Sequence, residues 1–299
     1  MHVVLGASGN TGHVVAKKLL ARGQKVRAVG RNAARLQPLA AEGAEVFIGD
    51  VTDAPTLTRA FKDAESAYVM IPPDPTSNDF RAFQDRSSDA IAAAVRSAGV
   101  KNIVSLSSIG ADKASGTGPV VGLYNLEQKL NQIDGANILH LRAGYFMENT
   151  LPQVGAIRMT GSAAGPLRPD LKVSMIATRD IGVAAADALL RLPFRGHQTQ
   201  ELQGQRDLDY TEVAAIIGNG IGKPGLGYIQ LPEDQIKAAM VQMGMSENIV
   251  RLILEMAGAL NVGYMRALEP RATRNTTPTS YETFVTEELV PAYQQQAAA

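Results

Sequence analysis

Six short β-rich runs alternate with helical stretches through the first half of the chain, and this alternation restricts the fold more than any other feature. The runs are "HVVL" (2–5), "KVRAV" (25–29), "EVFIG" (45–49), "SAYVMI" (66–71), "NIVSLS" (102–107) and "NILHL" (137–141). Between them, residues 11–22, 32–42, 55–64, 80–98 and 121–133 carry apolar side chains at helical spacing. Parallel strands cannot be joined by tight hairpins, so each crossover needs a helix. The pattern predicts an α/β chain with a doubly wound parallel sheet covered by helices on both faces. Asn32 stands where it can cap the second helix, and Gly23, Gly43 and Gly99 follow the ends of others.

After Asn149 the pattern loosens into "TGSAAGPLRP", a helix at about 179–191, a β-like "TQELQG", a helix from Tyr210, "YIQL", two Met-rich helices (233–243 and 246–260) and a polar stretch before "TSYETFVTEEL". The expected organisation is a nucleotide-binding unit over residues 1–150, with the 178–204 segment returning to it, and a smaller α/β lobe over 151–299. That lobe lies across the carboxyl edge of the sheet. Met240, Met243, Met245 and Met256 read as core or pocket wall, since methionine is adaptable filler, and the end "QQQAAA" reads as frayed.

Composition narrows the chemistry. Formal net charge is zero over 299 residues, which argues against broad electrostatic binding to nucleic acid or an anionic membrane. No run approaches the length of a membrane span. There is no cysteine, hence no disulfide framework, thiolate zinc site or thiol nucleophile. His2, His13, His140 and His197 are scattered without metal-pair spacing, so no metal is expected. With a strand beginning at His2 and no signal-like opening, a cytoplasmic location is expected.

The first strand runs directly into "GASGNTG", with glycines at 6, 9 and 12. In a doubly wound sheet this turn sits at the crevice where ligands bind. Its glycines permit a tight turn, close approach of a pyrophosphate and close packing of helix on strand. The phosphates then meet the free amides and positive dipole end of the first helix. No G-K-[ST] follows, so this is not a nucleoside triphosphate loop. Ser8, Asn10 and Thr11 belong to the same cradle. The second strand should select the cofactor. NAD would want an acid at its end; here Arg31 stands there with Arg35 one turn on, cations suited to the 2′-phosphate of NADP. Asp50, ending the third strand in "GDVTD", can accept from the adenine amino group or cap the helix before Ala54–Pro55. Val51, Ile71, Pro72 and Ser107 extend the cofactor's path along the carboxyl edge, bordered by the Pro-rich loop "IPPDPTSND".

In the motifs "GASGNTG", "VGRN", "GDVTD", "VKNIVSLSSIGAD", "LEQKL", "LRAGYFMEN", "TRDIG" and "LQGQRDLDYTEVAAIIG", the chain resembles the NmrA-like branch of the atypical short-chain dehydrogenases/reductases. The motifs follow the family's order from residue 2 to roughly 220, with an echo at "PTSYETFV". The resemblance implies a Rossmann lobe, a small C-terminal lobe and an NAD(P)(H) site. The family includes NAD(P)H-dependent quinone reductases, isoflavone-reductase relatives and redox-sensing regulators without turnover.

Typical short-chain dehydrogenases pair a Tyr with a Lys four residues on, beside a Ser after the fifth strand. Here Ser107 and Ser108 are placed for the serine and Tyr124 lies on the matching helix, but position 128 is Gln and Lys129 is five residues along. Five residues rotate about 140° round a helix, against about 40° for four. The lysine that isoflavone-reductase-like relatives carry earlier in this helix falls in "GPVVG" here. Ser107, Tyr124 and Lys129 stand as candidate catalytic residues against this geometry. Tyr145, Phe146 and Asn149, after the sixth strand, lie near the nicotinamide end. The aromatics either cover the ring or are core, and Asn149 either orders the loop, meets the carboxamide or caps a helix.

The leading reading is an NADPH-dependent reductase that delivers hydride to a quinone-like or other conjugated small molecule, an acceptor that needs no strong acid. A non-catalytic NADP(H)-binding redox sensor, which would need a protein partner, and an isomerase or cyclase on the same fold are the alternatives. A homo-oligomer stays open.

Overall fold

The computed structural model describes residues 1–295; the "QQQAAA" end, expected to fray, lies beyond that limit from residue 296 onward. Seven parallel strands form the main sheet: β1 (His2–Leu5), β2 (Val26–Gly30), β3 (Glu45–Ile48), β4 (Ser66–Val69), β5 (Asn102–Ser108), β6 (Asn137–Ala143) and, after a long excursion, His197–Leu202. Five helices connect the first six: α1 (Asn10–Ala21), α2 (Ala33–Ala41), α3 (Ala54–Ala60), α4 (Phe80–Ala98) and α5 (Val120–Leu130). The excursion holds β7 (Tyr145–Phe146), a 3₁₀ turn (Met147–Thr150), α6 (Gln153–Thr160), β8 (Ala163–Gly165), β9 (Val173–Ile176) and α7 (Thr178–Arg191), so the returning strand is β10. The remainder comprises β11 (Asp207–Leu208), α8 (Tyr210–Gly220), β12 (Tyr228–Gln230), α9 (Glu233–Gln242), α10 (Glu247–Asn261), α11 (Tyr281–Phe284), a π-helical turn (Val285–Leu289) and α12 (Val290–Gln295).

The spatial order is β3-β2-β1-β4-β5-β6-β10. The order reverses between β1 and β4, and a crevice opens outside the carboxyl ends of the strands at that switch point. Both faces of the sheet are buried, which is why its strands read as apolar runs. Val3 and Leu5 point into the core under α3, α4 and α5, and Val4 points into the core under α1, α2 and α7. Each fully buried aliphatic side chain of this kind contributes about 1.5–3 kcal/mol. A third core gathers β9, α8, Met147 and the last helices, beside two small sheets, β11-β9-β7 and β12-β8.

Helix ends follow local chemistry. Asn32 Oδ1 accepts from the Arg35 amide, and Gly23, Gly43 and Gly99 take positive φ beyond their helices. Asp209 and Glu212 form a reciprocal capping box that starts α8. The methionines divide: Met245 and Met256 pack against the cores, whereas Met243 is 62% exposed and fills nothing. No helix among the described residues is long and apolar enough to cross a membrane.

Candidate cofactor and acceptor site

The three glycines of the first turn do three different things. Gly6 leaves β1 at φ +63°, in the left-handed region that L side chains avoid. Gly12 lies against the turn itself: a Cβ there would stand 2.3 Å from the Gly6 carbonyl oxygen and 3.0 Å from that of Leu5. Gly9, exposed at the mouth, would place a Cβ 3.3 Å from the Gly6 oxygen and near nothing else. It begins α1 with no side-chain cap, so the first amides of the helix face the crevice. A cradle of bare backbone at a helix N-terminus fits a pyrophosphate. Thr11 is buried, and its hydroxyl accepts from the Tyr68 phenol at 2.9 Å, which pins the start of α1 onto β4. Thr11 therefore offers the cradle its main chain. Gly182 of α7 serves the same corner from behind, since a Cβ there would meet Val14 Cβ at 2.6 Å and the Thr11 oxygen at 2.8 Å.

Arg31, just past β2, and Arg35, in the first turn of α2, are both exposed beside the glycine turn; Arg35 Nη2 donates to the Ser8 carbonyl at 3.3 Å. No acidic side chain follows Gly30 here. Asp50 Oδ1 accepts from the Thr52 amide (2.8 Å) and hydroxyl (2.7 Å), and it is Asp53, accepting from the Thr56 amide at 3.1 Å, that caps α3. The capping role considered for Asp50 falls to its neighbour three residues on, because an N-cap must immediately precede the helix. Val51 and Ile71 are buried and Pro72 is half-buried along the same edge.

The β5 end is more surprising. Ser107 is 2% exposed and its hydroxyl donates to Glu127 Oε1 at 2.5 Å. Glu127, itself 2% exposed, is gripped by Arg142: Nε to Oε1 at 3.0 Å and Nη2 to Oε2 at 2.6 Å. Arg142 Nη2 also reaches the Ala111 carbonyl at 3.3 Å, so one buried ion pair ties β5, β6, α5 and the β5–α5 loop. Nothing in the residue spacing singled out Glu127 or Arg142. The available signal was the register, which sets Ser107 opposite Arg142 on paired strands.

Lys129 is held away from Tyr124. Its ammonium meets Asp89 at 2.7 Å and donates to the Asp85 carbonyl at 3.3 Å, both on α4. The region of the relatives' lysine is filled as well. A Cβ on Gly122 would strike the Gln84 amide at 2.2 Å, and one on Gly118 would strike the Leu252 carbonyl of α10 at 1.9 Å. Gln84 donates to the Pro119 carbonyl at 2.7 Å and Arg81 to that of Gly118 at 2.8 Å. Without a lysine beside it, Tyr124→Phe is expected to lower kcat with a quinone by less than about tenfold, where a positioned general acid contributes about 10²–10⁴-fold. Steady-state kinetics at saturating NADPH check this, and a hundredfold loss would restore a tyrosine acid.

After β6 the chain faces two cores. Phe146 packs with the α1–α7 side of the sheet and Tyr145 with the third core. Burial pushes the Tyr145 phenol above its ordinary value, and side-chain hydrogen bonds with Tyr210 and Asn149 offset part of that rise. Asn149 is exposed. The helix-starting role falls to Glu148, whose Oε1 accepts from the Thr178 amide (2.9 Å) and hydroxyl (2.5 Å) at the start of α7. The Pro-rich loop is closed from above by α10, where Asn248 Oδ1 accepts from the Phe80 amide at 3.0 Å and the Ser246 amide donates to the Pro75 carbonyl at 2.9 Å.

A family model described as the NmrA-like family matches residues 2–285. An NAD(P)H azoreductase of Xenophilus azovorans is 32% identical, with 86% of each chain covered. Quinone oxidoreductase 2 of Escherichia coli is 28% identical over 85% of this chain and 86% of that one. A solved structure of the Escherichia coli NADPH-dependent quinone oxidoreductase complexed with NADPH superposes with a TM-score of 0.73 at 23% identity, covering 99% of this chain and 100% of that one.

Proposed function

The chain belongs to the NmrA-like family, and from that premise we propose that it is an NADPH-dependent reductase that passes hydride to a quinone-like or other conjugated small molecule. The observation that carries the reading is the bare backbone cradle of Gly6, Gly9 and Gly12 flanked by Arg31 and Arg35, with no acid at the end of β2. Relatives named for NAD(P)H-dependent azo and quinone reduction support it. The division of labour we propose gives residues 1–150 with 178–204 to the cofactor and the rest of 151–299 to the acceptor pocket, in a cytoplasmic setting.

In this reading Ser8, Asn10 and the amides of Thr11 and Gly12 hold the pyrophosphate, Arg31 and Arg35 the 2′-phosphate, and Asp50 and Val51 the adenine. Ile71, Pro72, Tyr145, Phe146 and Asn149 border the nicotinamide end. The cofactor, when bound, supplies a hydride. The protein's contribution is alignment and the exclusion of water, and the delocalised anion of the reduced acceptor takes its proton from solvent. NADPH oxidation across a panel of quinones, enones and aldehydes tests the reading; cofactor binding without turnover of any of them would defeat it.

Cofactor choice gives a second check. A charge-assisted hydrogen bond is worth about 1.5–3 kcal/mol, so Arg31→Ala should weaken NADPH roughly ten- to a hundredfold and leave NADH nearly unchanged. Fluorescence titrations with both cofactors measure it, and equal losses would remove the 2′-phosphate assignment.

A further inference from the structure

We infer that Glu127 is a positioning residue that sets the substrate class by withdrawing the only hydroxyl proton of Ser107 from the acceptor site. The inference rests on the reductase reading above. A serine has one proton to give. Both oxygens of Glu127 are engaged as acceptors, Oε1 from Arg142 Nε and Oε2 from Arg142 Nη2, and the guanidinium can only donate. The proton between Ser107 and Glu127 therefore comes from the serine, and the 2.5 Å separation is that of an O–H···O⁻ bond. Ser107 stands two residues beyond the last β4–β5 pair, Val69 with Ser105, at the carboxyl edge that borders the crevice. Its hydroxyl turns inward under α5 and leaves that edge with no hydroxyl donor from Ser107. The neighbouring Ser108 hydroxyl donates to the Ile109 carbonyl at 2.9 Å.

The consequence is selective. Reducing an isolated carbonyl puts negative charge on one oxygen, and a donor aimed at that oxygen supplies much of the rate. Reducing a quinone spreads the charge over a conjugated system that needs no such donor. A β5 end with its hydroxyl withdrawn admits the second class and is poor at the first. Lys129, committed to α4, does not compensate.

Two measurements test this. Glu127 and Ser107 should share a protected proton that resonates downfield of the amides in the NMR spectrum of the full-length protein and is absent from both Ser107→Ala and Glu127→Gln. Kinetics with 1,4-naphthoquinone and 1-naphthaldehyde follow. Ser107→Ala should keep the aldehyde-to-quinone ratio of kcat/KM within about threefold of the parent's, because the hydroxyl it removes is already withdrawn. In Glu127→Gln, the amide can donate to Ser107 and free its hydroxyl, so the aldehyde-to-quinone ratio of kcat/KM should rise about tenfold, and adding Ser107→Ala should cancel the rise. If Glu127→Gln does not fold, the Ser107→Ala kinetics and the parent spectrum decide. An aldehyde-to-quinone ratio that does not rise in a folded Glu127→Gln protein, a ratio that falls more than about tenfold in Ser107→Ala, or no downfield proton in the parent overturns the inference. A parent that turns over no quinone defeats the reductase reading instead, while the spectrum still decides which residue holds the proton.

Discussion

Gly9→Val is expected to abolish binding of NADPH and NADH alike, by more than about a hundredfold, while the protein stays folded. The two halves of that result have separate causes. A Cβ at Gly9 meets one backbone oxygen at 3.3 Å, a contact the exposed turn can relax. The valine branches then project into the mouth of the cradle, where the pyrophosphate of the proposed reading approaches bare backbone. Gly12 gives the contrast, because its Cβ would sit 2.3 Å from the Gly6 oxygen and a substitution there should damage folding as well. Isothermal titration with each cofactor, beside circular dichroism, separates the cases. A folded Gly9→Val protein with parental affinity would remove the cofactor site from this turn.

Arg142→Leu is expected to cost about 3–5 kcal/mol of stability, the penalty for leaving a buried carboxylate without its partner. Glu127 is 2% exposed and would keep only the Ser107 hydroxyl. The loss should exceed that from any surface pair, such as Lys17 with Glu42 at 3.3 Å, where exposed partners contribute about 0–1 kcal/mol. Replacing both Glu127 and Arg142 with apolar residues should recover part of the loss, since a packed apolar pair often matches a buried ionic one. Chemical denaturation of the single and double variants measures both numbers. A single variant within about 1 kcal/mol of the parent would show that water reaches the carboxylate.

These expectations draw unevenly on sequence and structure. The sheet was legible because strands covered on both faces must be apolar throughout, as at Val3, Val4 and Leu5. The glycine turn was legible because spacing alone gives its contacts, and the Tyr124–Lys129 mismatch because a helix fixes angles. Long-range pairing was not. Ser107, Glu127 and Arg142 lie 20 and 15 residues apart in the chain, and their meeting depends on how α5 docks across β5 and β6. Asp50 was read as a possible cap although the expected start of α3, residue 55, lies within one residue of the observed Ala54; the cap is Asp53, the residue that immediately precedes the helix. Met243 was read as core or pocket wall from its stripe but is exposed; it follows α9, a helix that itself buries only Ile236.

The late return of β10 bears on how the chain can be made. β6 pairs with β5 on one side, yet its other side, Asn137–Ala143, waits for His197–Leu202. Until about residue 202 leaves the ribosome, β6 is an open edge with unpaired amides and carbonyls, a template for pairing with another chain. Cutting the gene after residue 150 would make that exposure permanent, and it would also remove α7, whose Gly182 closes against α1. Residues 1–150 thus lack the strand that covers β6 and the helix that covers α1, and a fragment ending at 150 should aggregate while one ending just beyond 204 would carry both edges of the main sheet.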